Sequence, residues 1–213
     1  MEITYSKHIP NDEYFVINKI NSVYSLDENV VSSNLYDIKK LEYKNKTLVY
    51  IFFKLNGLTN EKDINYGLKS LNLKSNILRM KMGDLSDTEL IKILTIVLLL
   101  NSSKTVVLKY IDSYFNDREL NNYFRYLRAI LERRDKTIIF ESSNYDNLIK
   151  YGGNYVILEN GKIKRTESIN DLNKKTELMK ITDLANKKSS KMVYYKDVND
   201  LLKAVYRSVT EKK

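Results

Sequence analysis

Lys136–Ile163 reads KTIIFESSNYDNLIKYGGNYVILENGKI. An apolar run, Thr137–Glu141, predicts a buried strand. Tyr145–Lys150 predicts a short helix, and Tyr155–Leu158 a second strand. Glu159-Asn160-Gly161-Lys162 then forms a turn, because Asn-Gly favours a tight hairpin. Working outward toward the N-terminus, a helix is expected from about Arg118 to Arg133, with Leu120, Tyr123, Leu127, Ile130 and Leu131 facing inward. Before it come a loop, IDSYFND, and another short apolar strand, Thr105–Tyr110. Before that strand, Ser86-Asp87-Thr88-Glu89 has the S-x-x-E form of a capping box. It opens a helix on which Leu90, Ile93, Leu94, Val97 and Leu98 share one face, and Asn101-Ser102-Ser103 ends it. Helix, strand, helix, strand, helix, strand and hairpin in succession define an α/β fold with a largely parallel sheet.

The two ends differ from this middle. Residues 1–56 look strand-rich and antiparallel: Ile3–Ile9, Tyr14–Ile20 and Leu41–Lys54 are dense in Tyr, Val, Ile and Phe. Leu26–Lys40 is expected to form a short helix, and residues 57–82 short helices joined by turns. Beyond Leu172 the composition shifts. Residues 173–213 hold 11 Lys+Arg against 5 Asp+Glu, a net of +6, whereas the rest of the chain carries 25 against 22. Within this basic segment KMVYY predicts a strand, and Val198, Leu201, Leu202, Val205 and Val209 a helical stripe, hence a small strand-helix appendage.

The chain has 213 residues, a net charge of +9, six glycines, one proline, one histidine and no cysteine. At 43% hydrophobic and 30% charged it can bury a sizeable core. Without cysteine there is no disulfide framework, thiolate nucleophile or zinc ribbon. A single histidine, His8, argues against a clustered imidazole site or a His-dependent triad, and reads as a surface residue. The glycines stand at 57, 67, 83, 152, 153 and 161, and neither GxxxxGK[ST] nor GxGxxG occurs. The N-terminus does not read as a secretory signal, and Leu90–Leu100 is too short to span a bilayer, so a cytoplasmic chain is expected.

From Gly83 to Leu172 the order of elements and several strings resemble the nucleotide-binding domain of ABC transporters. In that family a helix opens with LSGGQ, and a strand then ends in the Walker B acids. A loop reading roughly SALD, a helix, a strand ending in a histidine switch and a hairpin often spelled VLENGKI follow. Here the strings are LSDTE at Leu85–Glu89, VVLKYIDSYFNDREL at Val106–Leu120, and the Lys136–Ile163 stretch quoted above.

The resemblance puts Lys109 where the family has its magnesium-binding aspartate, and Tyr110 where it has the catalytic glutamate. The first replaces an oxygen ligand for a hard cation with a cation. The second removes the carboxylate that would polarise attacking water. The switch histidine falls on Ser143. Asp87 and Thr88 replace the signature glycines, leaving Ser86 as the phosphate-facing hydroxyl beside Glu89, and Asn116 stands for the aspartate after Walker B. Upstream, Val23–Leu35 can be laid on the Walker A strand, loop and helix. Ser25 and Glu28 then fall in its loop, Val31 replaces the lysine, and Ser32 and Ser33 the hydroxyl pair. Lys54 stands for the Q-loop glutamine. The partner of Lys109 is left open between Glu28 and Asp87.

These losses imply an ABC-type fold without ATP hydrolysis, because hydrolysis needs a glycine cradle, a lysine on the β/γ-phosphates, an acid on magnesium and oriented water. The expected organisation is a degenerate domain over 1–172, with a trimmed helical subdomain over about 57–104, and a basic appendage over 173–213. No cofactor, metal or small-molecule substrate is expected. The implied partners are an ABC permease, a competent ATPase subunit, or both, in a homo- or heterodimer, with the chain peripheral on the inner membrane face through the permease. Two alternatives stay open: an interaction or self-associating protein that has left transport, and a basic nucleic-acid-binding regulator, although no recognition-helix pattern supports the latter.

Simpler readings stand beside the sharper ones. Ser86–Glu89 is most economically a helix cap, and Lys109-Tyr110 a strand terminus emerging into solvent. Asp112, Asp117 and Glu119 read as a solvated acidic loop near a strand end. Tyr194-Tyr195 with Lys191 and Lys196 reads as a half-buried strand with a charged edge.

Overall fold

The computed structural model describes residues 2–8, 14–25, 38–159 and 162–166, together with Lys203. Its centre is one seven-stranded sheet: β1 (Glu2–Ser6), β2 (Ile20–Ser25), β3 (Lys39–Lys40), β4 (Thr105–Lys109), β5 (Thr137–Ser142), β6 (Asn154–Glu159) and β7 (Lys162–Thr166). The spatial order is β3-β1-β4-β5-β2-β6-β7. The four central strands, β4-β5-β2-β6, run parallel, so their carboxyl ends share one edge. β1 and β3 add antiparallel strands on one flank, and β7 closes an antiparallel hairpin on the other. Glu159 pairs with Lys162, and the Asn160-Gly161 turn expected between them lies outside the described residues.

Among the described residues five α-helices accompany the sheet: α1 (Val49–Leu55), α2 (Glu61–Ser70), α3 (Asp87–Leu100), α4 (Asp117–Leu131) and α5 (Tyr145–Tyr151). Both long helices start at complete capping boxes. Ser86 and Glu89 exchange hydrogen bonds at α3, and Asn116 and Glu119 do the same at α4. α4 buries Leu120, Tyr123, Leu127 and Ile130 as its period predicts, and adds Phe124, stacked on Tyr151 with ring centroids 4.2 Å apart.

Helix α3 departs from the one-faced reading. Every residue from Ile91 to Leu100 is buried, because α3 packs against α2 on one side and the sheet through β1 on the other. Lys92 survives there by reaching Glu119 on α4, 3.4 Å away. At the far end of α3, Ser103 Oγ donates to Leu98 O at 2.6 Å. The buried Lys136 ammonium donates to Leu98 O (3.1 Å), Asn101 O (2.7 Å), Ser103 Oγ (3.1 Å) and Ser103 O. A cation therefore closes the carbonyl end of the helix, where the backbone is electron-rich and unsatisfied. No helix among the described residues is long and apolar enough to cross a membrane.

Three expectations near the N-terminus are corrected. Leu41–Lys54 is not a strand: a loop leads into α1, which begins at Val49. Val49, Phe52 and Phe53 fall on one helical face and are wholly buried, and this packing overrides their β propensity. The strand expected over Tyr14–Ile20 starts only at Ile20. Asn21 accepts a hydrogen bond from Val16 N at 2.7 Å, and Asn18 takes a left-handed φ of 60°, so the preceding residues turn. Of the helix expected over Leu26–Lys40, Lys39-Lys40 instead pair with β1 as an edge strand, and residues 26–37 lie outside the described residues. Apart from Lys203, the 173–213 appendage lies outside them too.

Candidate functional site

Open parallel sheets place ligands beyond the carboxyl ends of their strands, where successive connections diverge. In this chain that edge carries the ends of β4, β5, β2 and β6. Lys109 is the last residue of β4, and its register partner on β5 is Glu141; on the other side of β4 its register partner is Glu2 of β1. A row of alternating charge, Glu2–Lys109–Glu141, thus crosses three strands.

Glu141 is 1% exposed. Its Oε2 lies 4.0 Å from Lys109 Nζ and receives no hydrogen bond among the described residues. Its Oε1 accepts from the Tyr110 hydroxyl at 3.3 Å, and its carbonyl from the Tyr110 N–H at 2.8 Å. Burial pushes the Glu141 carboxyl above the ordinary carboxylate range, against the pull of Lys109 and the Tyr110 hydroxyl, and Glu2 adds to the rise. Tyr110 adopts φ 52°, the left-handed region, which costs an L-residue about 1–2 kcal/mol. Lys109 and Tyr110 are therefore not a strand end emerging into water; both are half-buried around a carboxylate that neither Glu28 nor Asp87 supplies.

The neighbouring groups are also engaged. Ser142 Oγ donates to Asp112 Oδ2 at 2.7 Å, and Asn147 Nδ2 donates to the same oxygen at 2.9 Å. This ties the loop after β4 to the end of β5 and to α5. Thr88 Oγ1 donates to Tyr114 O at 2.9 Å, joining the start of α3 to that loop. The acidic loop read from the sequence as solvated is partly structural: Asp112 is locked, Glu119 caps α4 and pairs with Lys92, and Asp117 is exposed.

The predicted site residues thus sort by position. Lys109 ends β4 and Tyr110 follows it, exposed Ser143 follows β5, and buried Ser25 ends β2, all on the carboxyl edge. Ser86, Asp87, Thr88 and Glu89 form the start of α3, with Asp87 exposed and Ser86 committed to the cap. Lys54 is in the last turn of α1, exposed, with its ammonium 4.4 Å from the Tyr50 ring centroid. His8 is exposed. Glu28, Val31, Ser32 and Ser33 lie outside the described residues, as do Tyr194 and Tyr195. The sequence reading missed Glu141. Its signal was an acid at the end of an otherwise apolar strand, in the register that faces Lys109.

A magnesium ion does not fit the described carboxyl edge. An ammonium stands at the end of β4, the buried acid beside it faces that ammonium, and Asp112 is held by two donors. Among the described residues no group of three or more His, Cys, Asp or Glu side chains is placed to hold a metal ion. Two of the clefts among the described residues lie elsewhere. One of ≈ 660 Å³ opens at the amino ends of β2 and β6, beside Arg128, Tyr151 and Gly152; its Arg128 is spent on the carbonyls of Lys150 and Tyr151. The other, of ≈ 560 Å³, lies beside the start of α3 and is lined in part by Ser86, Thr88, Lys92 and Glu119.

No protein-family model and no curated protein matches the sequence. Among solved structures the fold is similar to that of ABC transporter proteins. An ATP-binding subunit of an ABC transporter superposes with a TM-score of 0.59 at 9% identity, over 82% of this chain and 92% of that one. CbiO1 of Clostridium perfringens, part of the ABC transporter complex CbiONQ, gives 0.58 at 11% identity, over 85% and 94%. An inward-facing metal-chelate type ABC transporter gives 0.57 at 13% identity, over 79% and 84%. The chain therefore has the mixed α/β fold of the ABC nucleotide-binding domain.

Proposed function

We propose that this chain is a catalytically inactive, ABC-ATPase-like subunit that serves as a structural or regulatory partner of an ABC permease, a competent ATPase subunit, or both. The observation that carries the reading is the Lys109–Glu141–Tyr110 cluster. The carboxyl end of β4 should present oxygen ligands to a metal and a base to water; here it presents an ammonium turned toward a buried acid. Retaining the fold while neutralising that edge suits a protein selected for its surfaces rather than for turnover. The fold likeness to transporter subunits supports a role in such an assembly, and the absence of any glycine cradle from the sequence supports inactivity.

Light scattering of the chain, alone and mixed with any intact ATPase subunit or permease that its neighbouring genes prove to encode, tests the partnership. A complex of defined stoichiometry with either is expected. A chain that self-associates and ignores both would favour the reading in which it has left transport.

A further inference from the structure

Among the described residues, seven large apolar side chains are at least 36% exposed, and four of them fall between Leu48 and Leu55. Leu55 is 74% exposed, Tyr50 42%, Ile51 40% and Leu48 39%. Their spacing explains why. Val49, Phe52 and Phe53 use the inner face of α1, so Leu48, Ile51 and Leu55 are left as a stripe on its outer face. This is a ridge rather than a groove, since none of the clefts described above is lined by these residues.

The charge flanking the ridge is mainly positive, with Glu42 and Asp84 as exposed acids just outside it. Residues 44–56 contain Lys44, Lys46 and Lys54 and no acid. Leu48 bridges to Lys81 in an adjacent segment, and residues 74–82 contain Lys74, Arg79 and Lys81, again with no acid. All six cations are exposed, and none forms an ion pair among the described residues. Lys54 lies over the Tyr50 ring, its apolar stem beside the stripe and its ammonium free of carboxylates.

An apolar ridge set in unpaired cations complements a surface with the opposite arrangement: an apolar interior behind a layer of anions. We infer that the outer face of α1, flanked by the Lys74–Met82 segment, is a contact surface for an anionic lipid membrane. Leu48, Ile51 and Leu55 enter the headgroup boundary, while the lysines meet lipid phosphates. Nucleic acid fits less well, because the stripe itself is aliphatic and Tyr50, the one exposed ring on α1, has Lys54 over its face. The inference is independent of the subunit reading above.

The test is co-sedimentation of the full chain with phosphatidylcholine vesicles, with and without phosphatidylglycerol. Binding that requires phosphatidylglycerol and weakens with added salt is expected. Ile51→Gln/Leu55→Gln should weaken partitioning about tenfold or more, through lost apolar insertion. Lys54→Gln/Lys81→Gln should weaken it several-fold and flatten the salt dependence. All four side chains are exposed, so an unchanged thermal midpoint certifies folding of the variants. Sedimentation unaffected by either pair would place the lipid contact elsewhere, for example on the basic C-terminal segment, and overturn the inference. Loss of permease association in these variants without any vesicle binding would also overturn it, yet leave the subunit reading standing.

Discussion

Strand β5 starts beside a buried lysine and finishes at a buried glutamate, and the protein treats these two charges differently. At the amino end, Lys136 is surrounded by four oxygens that need a donor, three of them carbonyls at the close of α3. Nearby, Arg134 reaches Leu100 O and pairs with Asp63. At the carboxyl end, Glu141 keeps one oxygen without a hydrogen bond among the described residues, a lysine at 4.0 Å, and a tyrosine held at positive φ. Among the described residues the Lys136 ammonium at the amino edge is fully engaged, as a structural contact should be. The carboxyl edge carries strain at Tyr110 and incomplete pairing at Glu141, which the inactive-subunit proposal explains as altered chemistry on a retained architecture.

Four experiments can break or sharpen that contrast. The largest effect is expected at Lys136. Lys136→Met leaves the α3 carbonyls without their cation and should lower unfolding stability by about 3 kcal/mol, read from the urea midpoint. A loss smaller than that of Glu141→Gln would reverse the comparison.

Gly152 is next. A Cβ there would lie 1.6 Å from Ser22 Oγ and 2.8 Å from Ser22 Cβ, where the end of α5 closes onto β2. Gly152→Ala should cost about 2 kcal/mol, and Ser22→Gly in the same chain should recover part of it. Full tolerance of the alanine would mean that this contact is loose.

At the carboxyl edge, a double-mutant cycle of Lys109→Met and Glu141→Gln should give a coupling of about 1–2 kcal/mol. Additive effects would show that the two charges ignore each other at 4.0 Å.

The two ends of β5 should also produce pH dependence in separate ranges. Glu141 has its carboxyl raised above 4.5 in the folded chain, so the folded form holds a proton that the unfolded form releases. Its contribution is fully present below pH 4.5 and is lost as pH rises through the folded value. Glu141→Gln should flatten that segment. Burial depresses the Lys136 ammonium from 10.5 to about 8, with the Arg134 and Lys104 charges adding to it. Between those values the unfolded chain binds the proton, so stability should rise with pH there, and Lys136→Met should abolish the rise.

Much of the fold was legible because its elements carry strong local signals. The capping box at Ser86–Glu89, the α4 stripe and the antiparallel pairing of β6 with β7 all align with the architecture. Where signals conflict, packing decides: Val49, Phe52 and Phe53 look like strand residues, yet their spacing suits one helical face buried against the core. Helix α3 misleads differently, since a helix buried all round has no preferred face to read. For the site, placing Lys109 and Tyr110 at the end of β4 needed only the sequence. Glu141 did not emerge because its meaning depends on register between strands β4 and β5, some thirty residues apart in sequence. No local pattern encodes that pairing.

The central claim is that an ABC-type fold has been kept while its nucleotide chemistry has been replaced. Release of inorganic phosphate from ATP in the presence of magnesium, by the purified full chain, tests it most directly. The account predicts release indistinguishable from a protein-free blank, both alone and after Tyr110→Phe. Magnesium-dependent release that co-elutes with the chain and changes with Tyr110→Phe would contradict it.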